Sequence, residues 1–289
     1  MMTFPSERVC RGAGLGLRIP HIPSVLQHRP AVDWFEVHIC NFLNGGLNRT
    51  LLQEVARYYP LSFHGVSLNL GGLEALDTGY LHALQQAVDK FQPALVSEHA
   101  CLTAHQGEHF HDLIPVPFNA RSARHMAERI VQVQDALGRR ILIENLSRYA
   151  RYEASSWTEA EFLTEVCELS GCDLLLDLNN AYVNQINLGE SWQRFVESLP
   201  LERIREVHLA GHSLQGEYLI DTHNRPVCDE VWDVYQALAP ILNGCPVLIE
   251  WDSDLPDFSV LQQHCNKAAR IHDSIQARSA GVSHEHIAY

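Results

Sequence analysis

Asp173-Leu174-Leu175-Leu176-Asp177 is an unbroken apolar run that closes on an acid, and the same pattern recurs along the chain. A strand with one wet face alternates apolar and polar residues. A short run without that alternation suits a strand covered on both faces, as in a parallel sheet flanked by helices. Working outward from 173–177, equivalent runs fall at 13–17, 34–38, 61–66, 94–98, 140–144, 204–209 and 246–250.

Between these runs lie helical patterns at 47–58, 80–91, 120–137, 159–170, 192–199, 231–242 and 259–271, with a short, weak one at 22–28. In 120–137 the apolar residues Ala123, Met126, Ala127, Ile130, Val133 and Leu137 recur at helical spacing and leave Arg124, Glu128 and Gln132 outward. Asp77 and Thr158 are placed to cap helix starts, Gly138 and Gly171 to stop helices. Eight strands alternating with eight helices predict a (β/α)8 TIM barrel, with functional groups at the carboxyl ends of the strands. A doubly wound open sheet is the alternative. Against it, no G-x-G-x-x-G occupies a strand-to-helix turn, and Gly12, Gly14 and Gly16 alternate within the first strand, which suits close packing inside a barrel.

The 289 residues, 46% of them apolar, can bury one large core, so a single domain over 1–271 is expected. The segment 272–289 loses periodicity and is expected to be a poorly ordered tail whose His284-Glu285-His286 is solvated. Twenty-one basic against 35 acidic residues give a net charge of −14, which disfavours a broad nucleic-acid surface. The first eleven residues lack an apolar signal core, and no run reaches the roughly 18 apolar residues of a membrane helix. A cytoplasmic protein is expected. Cys10, Cys40, Cys101, Cys167, Cys172, Cys228, Cys245 and Cys265 form no C-x-x-C pair, so they are expected to be reduced, packed thiols.

The strand ends carry the chemistry. They deliver His64, His99, Glu144, Asp177, His208 and Glu250, and an Asp221-Thr222-His223 insert precedes the last strand. A lone histidine such as His21 or His125 is more often a hydrogen-bonded structural residue than a ligand. Joint placement on consecutive strands is what argues otherwise. Carboxylates buried at an apolar barrel mouth need a compensating cation. Of the nearby bases, Arg140 lies at the wrong end of its strand and Arg148 only flanks it, so metal ions fill the deficit better. A set of oxygen and imidazole donors without thiolate suits zinc, iron or manganese. Four carboxylates and four imidazoles exceed what one ion can use, so two or three ions are expected, with Glu144 as the natural bridge.

At these residues the layout resembles the xylose-isomerase-like barrels, notably endonuclease IV, whose trinuclear zinc site uses His, His, Glu, Asp-x-x-His, His, Asp-x-His and Glu in that order. Here the Asp-x-x-His position reads Asp177-Leu178-Asn179-Asn180, an amide in place of an imidazole. In sequence detail the chain resembles more closely the multinuclear non-heme iron-dependent oxidases. That family includes the methanobactin-biosynthesis oxidase and enzymes that modify cysteines in ribosomally made precursor peptides. The resemblance is carried by Gly14-Leu15-Gly16-Leu17-Arg18, Trp34-Phe35-Glu36-Val37-His38, Phe63-His64-Gly65-Val66-Ser67-Leu68-Asn69-Leu70-Gly71, Ser97-Glu98-His99, Ile143-Glu144-Asn145, Leu176-Asp177-Leu178-Asn179-Asn180-Ala181-Tyr182-Val183, His208-Leu209-Ala210-Gly211-His212 and Asp221-Thr222-His223, within 12–271.

The resemblance implies two or three iron ions, Fe(II) or Fe(III), held by His64, His99, Glu144, Asp177, Asn180, His208, Asp221, His223 and Glu250, with zinc or manganese as other metals the protein could carry when purified. Asn180 is either a ligand or a hydrogen-bond partner of one. His212 is a candidate catalytic proton donor near bound dioxygen, or a structural loop histidine. Glu36 and His38 line the mouth from the second strand or hold it as a buried pair. The implied reaction uses O2 to oxidise a cysteine of a precursor peptide, presented by a separate leader-binding partner protein. The main rival is an endonuclease IV-like metal-dependent phosphodiesterase, which the negative charge and Asn180 oppose. A sugar isomerase would want a lysine near the metals, and Lys90 and Lys267 fall in helices far from the strand ends.

Overall fold

The computed structural model describes residues 9–242 and 244–282. Its strands and helices follow in chain order as β1 (Ala13–Gly16), α1 (Ile22–His28), β2 (Trp34–His38), α2 (Cys40–Leu43), α3 (Leu47–Val55), β3 (Leu61–His64), α4 (Thr78–Phe91), β4 (Leu95–His99), β5 (Cys101–His105), β6 (Glu108–Pro115), α5 (Ala120–Leu137), β7 (Leu142–Glu144), α6 (Glu159–Ser170), β8 (Asp173–Asp177), α7 (Leu178–Leu188), α8 (Trp192–Glu197), β9 (Ile204–Leu209), β10 (Ser213–Gln215), β11 (Tyr218–Ile220), α9 (Asp229–Leu238), β12 (Val247–Ile249) and α10 (Phe258–Val282). The strands β1-β12-β9-β8-β7-β4-β3-β2 close into a parallel barrel, so the expected (β/α)8 architecture is the observed one.

Local sequence sets the helix limits. The Asp77 carboxylate accepts from the amides of Gly79 and Tyr80 to start α4, and Asn119 does the same for α5 through Arg121 and Ser122. Thr158 and Glu161 form a reciprocal capping box at α6. Gly138 and Gly171 end α5 and α6 in the left-handed region, which glycine enters without steric cost. The apolar stripe of α5 read from the sequence is buried at Ala123, Met126, Ala127, Ile130, Val133 and Leu137.

The main core lies between the strands and the surrounding helices, while Cys10, Trp34 and Leu248 form a smaller apolar cluster. A Cβ at Gly14 would overlap the Trp34 ring, so the glycine in β1 is what lets that indole fit. Two helices and two hairpins depart from the sequence reading. α2 and α7 are additional helices, and the hairpins β5–β6 and β10–β11 project beyond the barrel strands. The last helix also runs to Val282, into the 272–289 segment expected to lack order. His284-Glu285-His286 lies outside the described residues.

Strand register explains how distant residues meet. His99 lies opposite Glu144, and Asp177 opposite His208. His64 pairs with Ser97, Glu144 with Leu175 and His208 with Leu248, each two residues short of the next donor. The donors therefore step up by zero or two residues from strand to strand. A tilted, staggered barrel turns that climb into a single ring of inward-pointing side chains.

Candidate metal centre

A cavity of about 340 Å³ opens at the carboxyl ends of the strands, lined by His38, His64, His99, Glu144, Asn180, Asp221, His223 and Glu250 among others. Asp177 and His208 are fully buried, and their donor atoms come within 4.8 Å of those of Glu144. Every expected ligand position is thus gathered in one place. A larger cavity of about 610 Å³ lies on the other side of the segment 146–151. It contains Arg148 but none of these donors.

Two imidazoles and one acid form a close group. The Nε2 atoms of His64 and His99 stand 3.3 and 3.1 Å from Glu144 Oε2 and 3.3 Å from each other. The opposite ring nitrogens are engaged: His99 Nδ1 donates to the Gly65 carbonyl at 3.0 Å, and His64 Nδ1 lies 2.7 Å from Ser97 Oγ. Each ring thereby turns Nε2 toward the acid. An ion with bonds of about 2.0–2.1 Å spaces adjacent ligands by roughly 3.0–3.4 Å, which is the spacing found.

The turn from β8 into α7 does two jobs. Asp177 caps the helix by accepting from the Asn180 amide, while its second oxygen, Oδ2, has no hydrogen-bond partner. The Asn180 side-chain NH2 donates to the Asn145 carbonyl at 2.9 Å, which leaves Oδ1 buried and without a partner beside the cavity. Glu144 Oε2 also lacks a hydrogen bond. Buried oxygens without partners are costly in a folded protein. Asp177 Oδ2 and Asn180 Oδ1, beside a Glu144 Oε2 that faces only two imidazole nitrogens, are what a cation-binding site presents, so the donor set fits metal.

The second half of the site sits on the segment after β11. Asp221 Oδ1 lies 2.7 Å from His223 Nε2, and His223 Nδ1 lies 3.2 Å from Asp252 and 3.4 Å from Glu250. His223 holds a left-handed backbone with φ of 46°. That conformation is uncommon for a residue with a side chain and is held by the Asp252 amide donating to the His223 carbonyl at 2.7 Å. Of the five donor triads among the described residues that meet the distance needed to hold an ion, four lie at this mouth: His64–His99–Glu144, Glu144–Asp177–His208, Asp177–His223–Glu250 and His38–His64–Glu250. Glu144 belongs to two of them.

Protons and one arginine offset part of the charge at the site. Burial pushes Glu144 up to about 8, against the pull of His99, and pushes Asp177 up to about 7, with Asp221 adding repulsion. Burial would lower His99, but Glu144 and Glu98 outweigh it and raise the ring to about 9. His64 goes the other way, held well below its ordinary value by burial and then by His99. Burial opposes ionisation of Glu250 too, yet His223 and His208 hold it well below the usual carboxylate range.

Arg18 corrects the sequence reading, which counted no matching base at this mouth. Its Nη2 donates to Glu250 Oε1 at 3.0 Å and pairs with Asp252, and it lies 3.1 Å from His38 Nε2. Arg148, the other basic candidate, pairs instead with Glu159 and Glu190. Among the described residues no Lys or Arg forms an ion pair with Glu144, Asp177 or Asp221, so the deficit persists on that side.

Sequence reasoning also left out Asp252 and a strand irregularity. In the β5–β6 hairpin Leu102 pairs with Ile114 but Ala104 with His109, so Thr103 stands opposite Phe110, His111, Asp112 and Leu113. This four-against-one bulge places those residues in the cavity wall. His212 does not line the cavity. Its Nδ1 lies 2.8 Å from Asn179 Oδ1, and the Asn179 amide donates to Asp221 Oδ1 at 2.6 Å.

Comparison with known proteins gives three results. A family model described as RiPP precursor modification enzyme MbnB/TglH/ChrH matches residues 12–273. A UPF0276 protein of Acaryochloris marina is 43% identical over 258 residues, covering 89% of this chain and 94% of that one, and one of Chromobacterium violaceum is 42% identical over 266, covering 92% and 96%. Among solved structures, a D-psicose 3-epimerase aligns over 91% of this chain and 99% of its own with a TM-score of 0.59 at 14% identity. Endonuclease IV from Thermus thermophilus aligns over 92% and 99% with a TM-score of 0.58 at 15% identity. At such identities the structures share the fold, a xylose-isomerase-like TIM barrel.

Proposed function

The chain belongs to the MbnB/TglH/ChrH family of RiPP precursor modification enzymes, and from that premise we propose that it is a multinuclear iron-dependent oxidase that uses O2 to modify cysteines of a ribosomally synthesised precursor peptide. The observation that carries the metal part is the convergence of Glu144 Oε2, Asp177 Oδ2 and Asn180 Oδ1, buried and without hydrogen bonds, on a cavity ringed by imidazoles.

His64, His99 and Glu144 would hold one ion, Glu144, Asp177, Asn180 and His208 a second, and Asp221, His223 and Glu250 donors beside them, with Glu144 shared. Bound iron supplies the redox capacity and Lewis acidity that protein side chains lack. The chain's own groups do the rest. Asn145 turns the Asn180 oxygen inward, Gly65 and Ser97 turn the two imidazoles, and Asn179 holds Asp221. His212 acts through Asn179 on the Asp221 carboxylate, a positioning role rather than contact with substrate. The bulge at Phe110–Leu113 forms the wall past which a peptide thiol enters. A separate protein that binds the peptide's leader completes the proposed system.

Anaerobic reconstitution with Fe(II), metal analysis and Mössbauer and EPR spectroscopy test the reading. More than one iron per chain with a mixed-valence signal is expected, together with O2 consumption that requires a Cys-containing precursor. Tight zinc with cleavage of abasic DNA overturns it in favour of a phosphodiesterase.

A further inference from the structure

Below the donors assigned above, inside the barrel, lie two carboxylates that the proposed reaction has not used. Glu36 on β2 and Glu206 on β9 are both 0% exposed. Neither makes an ion pair with Lys or Arg among the described residues. Ser62 Oγ on β3 bridges them, 3.2 Å from Glu206 Oε2 and 3.5 Å from Glu36 Oε2. The ring of His208 stands over this pair. Its Nε2 is 3.2 Å from Glu36 Oε2, while its Nδ1 is 3.1 Å from Glu250 Oε2 in the cavity layer.

A neutral imidazole has one N–H and one lone pair, and the partner of the N–H decides which nitrogen is left to bind metal. Here the two nitrogens face different layers. We propose that Glu36 is a positioning residue that accepts the Nε2–H of His208, so that Nδ1 is the nitrogen presented to the metal centre. Ser62 and Glu206 hold Glu36 in place from below. The inference rests on reading His208 as a ligand. It adds the acid that orients the ring, in the manner of carboxylate–histidine–metal arrangements, where loss of the outer carboxylate weakens metal binding by about 10–100-fold.

Glu36, Glu206 and His208 also lie close enough to one another to hold an ion of their own. An ion there would take Nε2, and His208 could then serve the upper layer only by giving up its remaining proton. The hydrogen-bonded arrangement needs no such loss.

Glu36→Gln tests the idea, with Fe(II) alone as the probe and chelator competition as the readout. The expected result is an iron site that dissociates about 10–100-fold more readily, with one Mössbauer quadrupole doublet altered and the others unchanged. Metal-free Glu36→Gln keeps the side-chain volume and a hydrogen-bonding group and should retain the wild-type circular dichroism spectrum; this separates orientation of a ligand from loss of the fold. Ser62→Ala, which keeps the carboxylate, should give a smaller change in the same doublet. Wild-type chelator resistance and an unshifted spectrum in Glu36→Gln overturn the proposal. So does the loss of one whole ion with every remaining doublet intact, since that marks a separate ion on Glu36 and Glu206. If wild-type protein binds no iron, the functional reading itself fails, a result visible before any variant is compared.

Discussion

Asn180 shows how one side chain acquires a direction. An amide oxygen is a weak donor, but with its NH2 fixed on the Asn145 carbonyl it is held toward the cavity without a competing hydrogen bond. The same reasoning gives Glu144 its weight, since Oε2 faces two imidazole nitrogens at 3.1–3.3 Å and belongs to two donor groups. Glu144→Gln is therefore expected to lower metal content at two positions together, by more than tenfold in affinity at each, measured by metal analysis after dialysis against chelator. Unchanged occupancy at either position removes the bridging role. At this scale the sequence was legible where a donor ended an apolar run, and not where a residue shared its parity one step further on. Arg18 follows Gly14 and Gly16 at spacing two, and Asp252 follows Glu250 in the same way, so each continues the inward face past the strand end. Glu206 lies on that face one step below His208, as Glu36, already singled out in the sequence, lies one step below His38. Inward parity, extended two residues in both directions, is the signal that finds Arg18, Asp252 and Glu206 as well.

The elements that sequence reading missed are those whose stability comes from contacts rather than pattern. α7 is Asn-rich and carries a weak apolar stripe, yet it forms because Asp177 caps it and Gly189 ends it in the left-handed region. In the hairpins, β6, β10 and β11 bury no residue, so no apolar alternation marks them. The segment after β11 depends on one close approach: a Cβ at Gly211 would overlap the Arg225 carbonyl, and the His223 amide donates to the Gly211 carbonyl at 3.0 Å. Gly211→Ala must push that segment away, at a cost of about 1–3 kcal/mol. The expected outcome is a lower melting temperature and loss of metal at the position served by Asp221 and His223, with the His64–His99–Glu144 group still loaded. A variant that melts and loads like the wild type contradicts this account of the segment.

The barrel as a whole was legible because its strands are short, mostly apolar runs, five of which (β2, β3, β4, β7 and β8) close on a histidine or an acid. The eighteen-residue α5 and the capped α6 supplied the helical layer in between. What could not be read was the charge balance, which depends on which groups burial forces to share protons. Glu144 and Asp177 have folded values near 8 and 7, above their ordinary range, so between about pH 4 and 8 the native state holds protons that the unfolded chain has released. Stability of the metal-free protein must then fall as pH rises through that window. His99, raised to about 9, adds to the decline, since its contribution is complete below its unfolded value and is lost as pH rises through the folded one. Glu250 and Asp252 are held low, so their contribution is already complete in this range and adds no slope. Calorimetry of metal-free protein should show a melting temperature several degrees lower at pH 8.5 than at pH 5.5, and a bound ion, by replacing the protons, should flatten the curve. A flat metal-free profile counts against a proton-filled site. The left-handed turn at His223 carries one more consequence. Donors rooted in strands are rails, while Asp221 and His223 ride on a turn outside the barrel, so an ion that they help to hold is expected to be the last to load and the first to leave, which stepwise titration with metal and chelator would read.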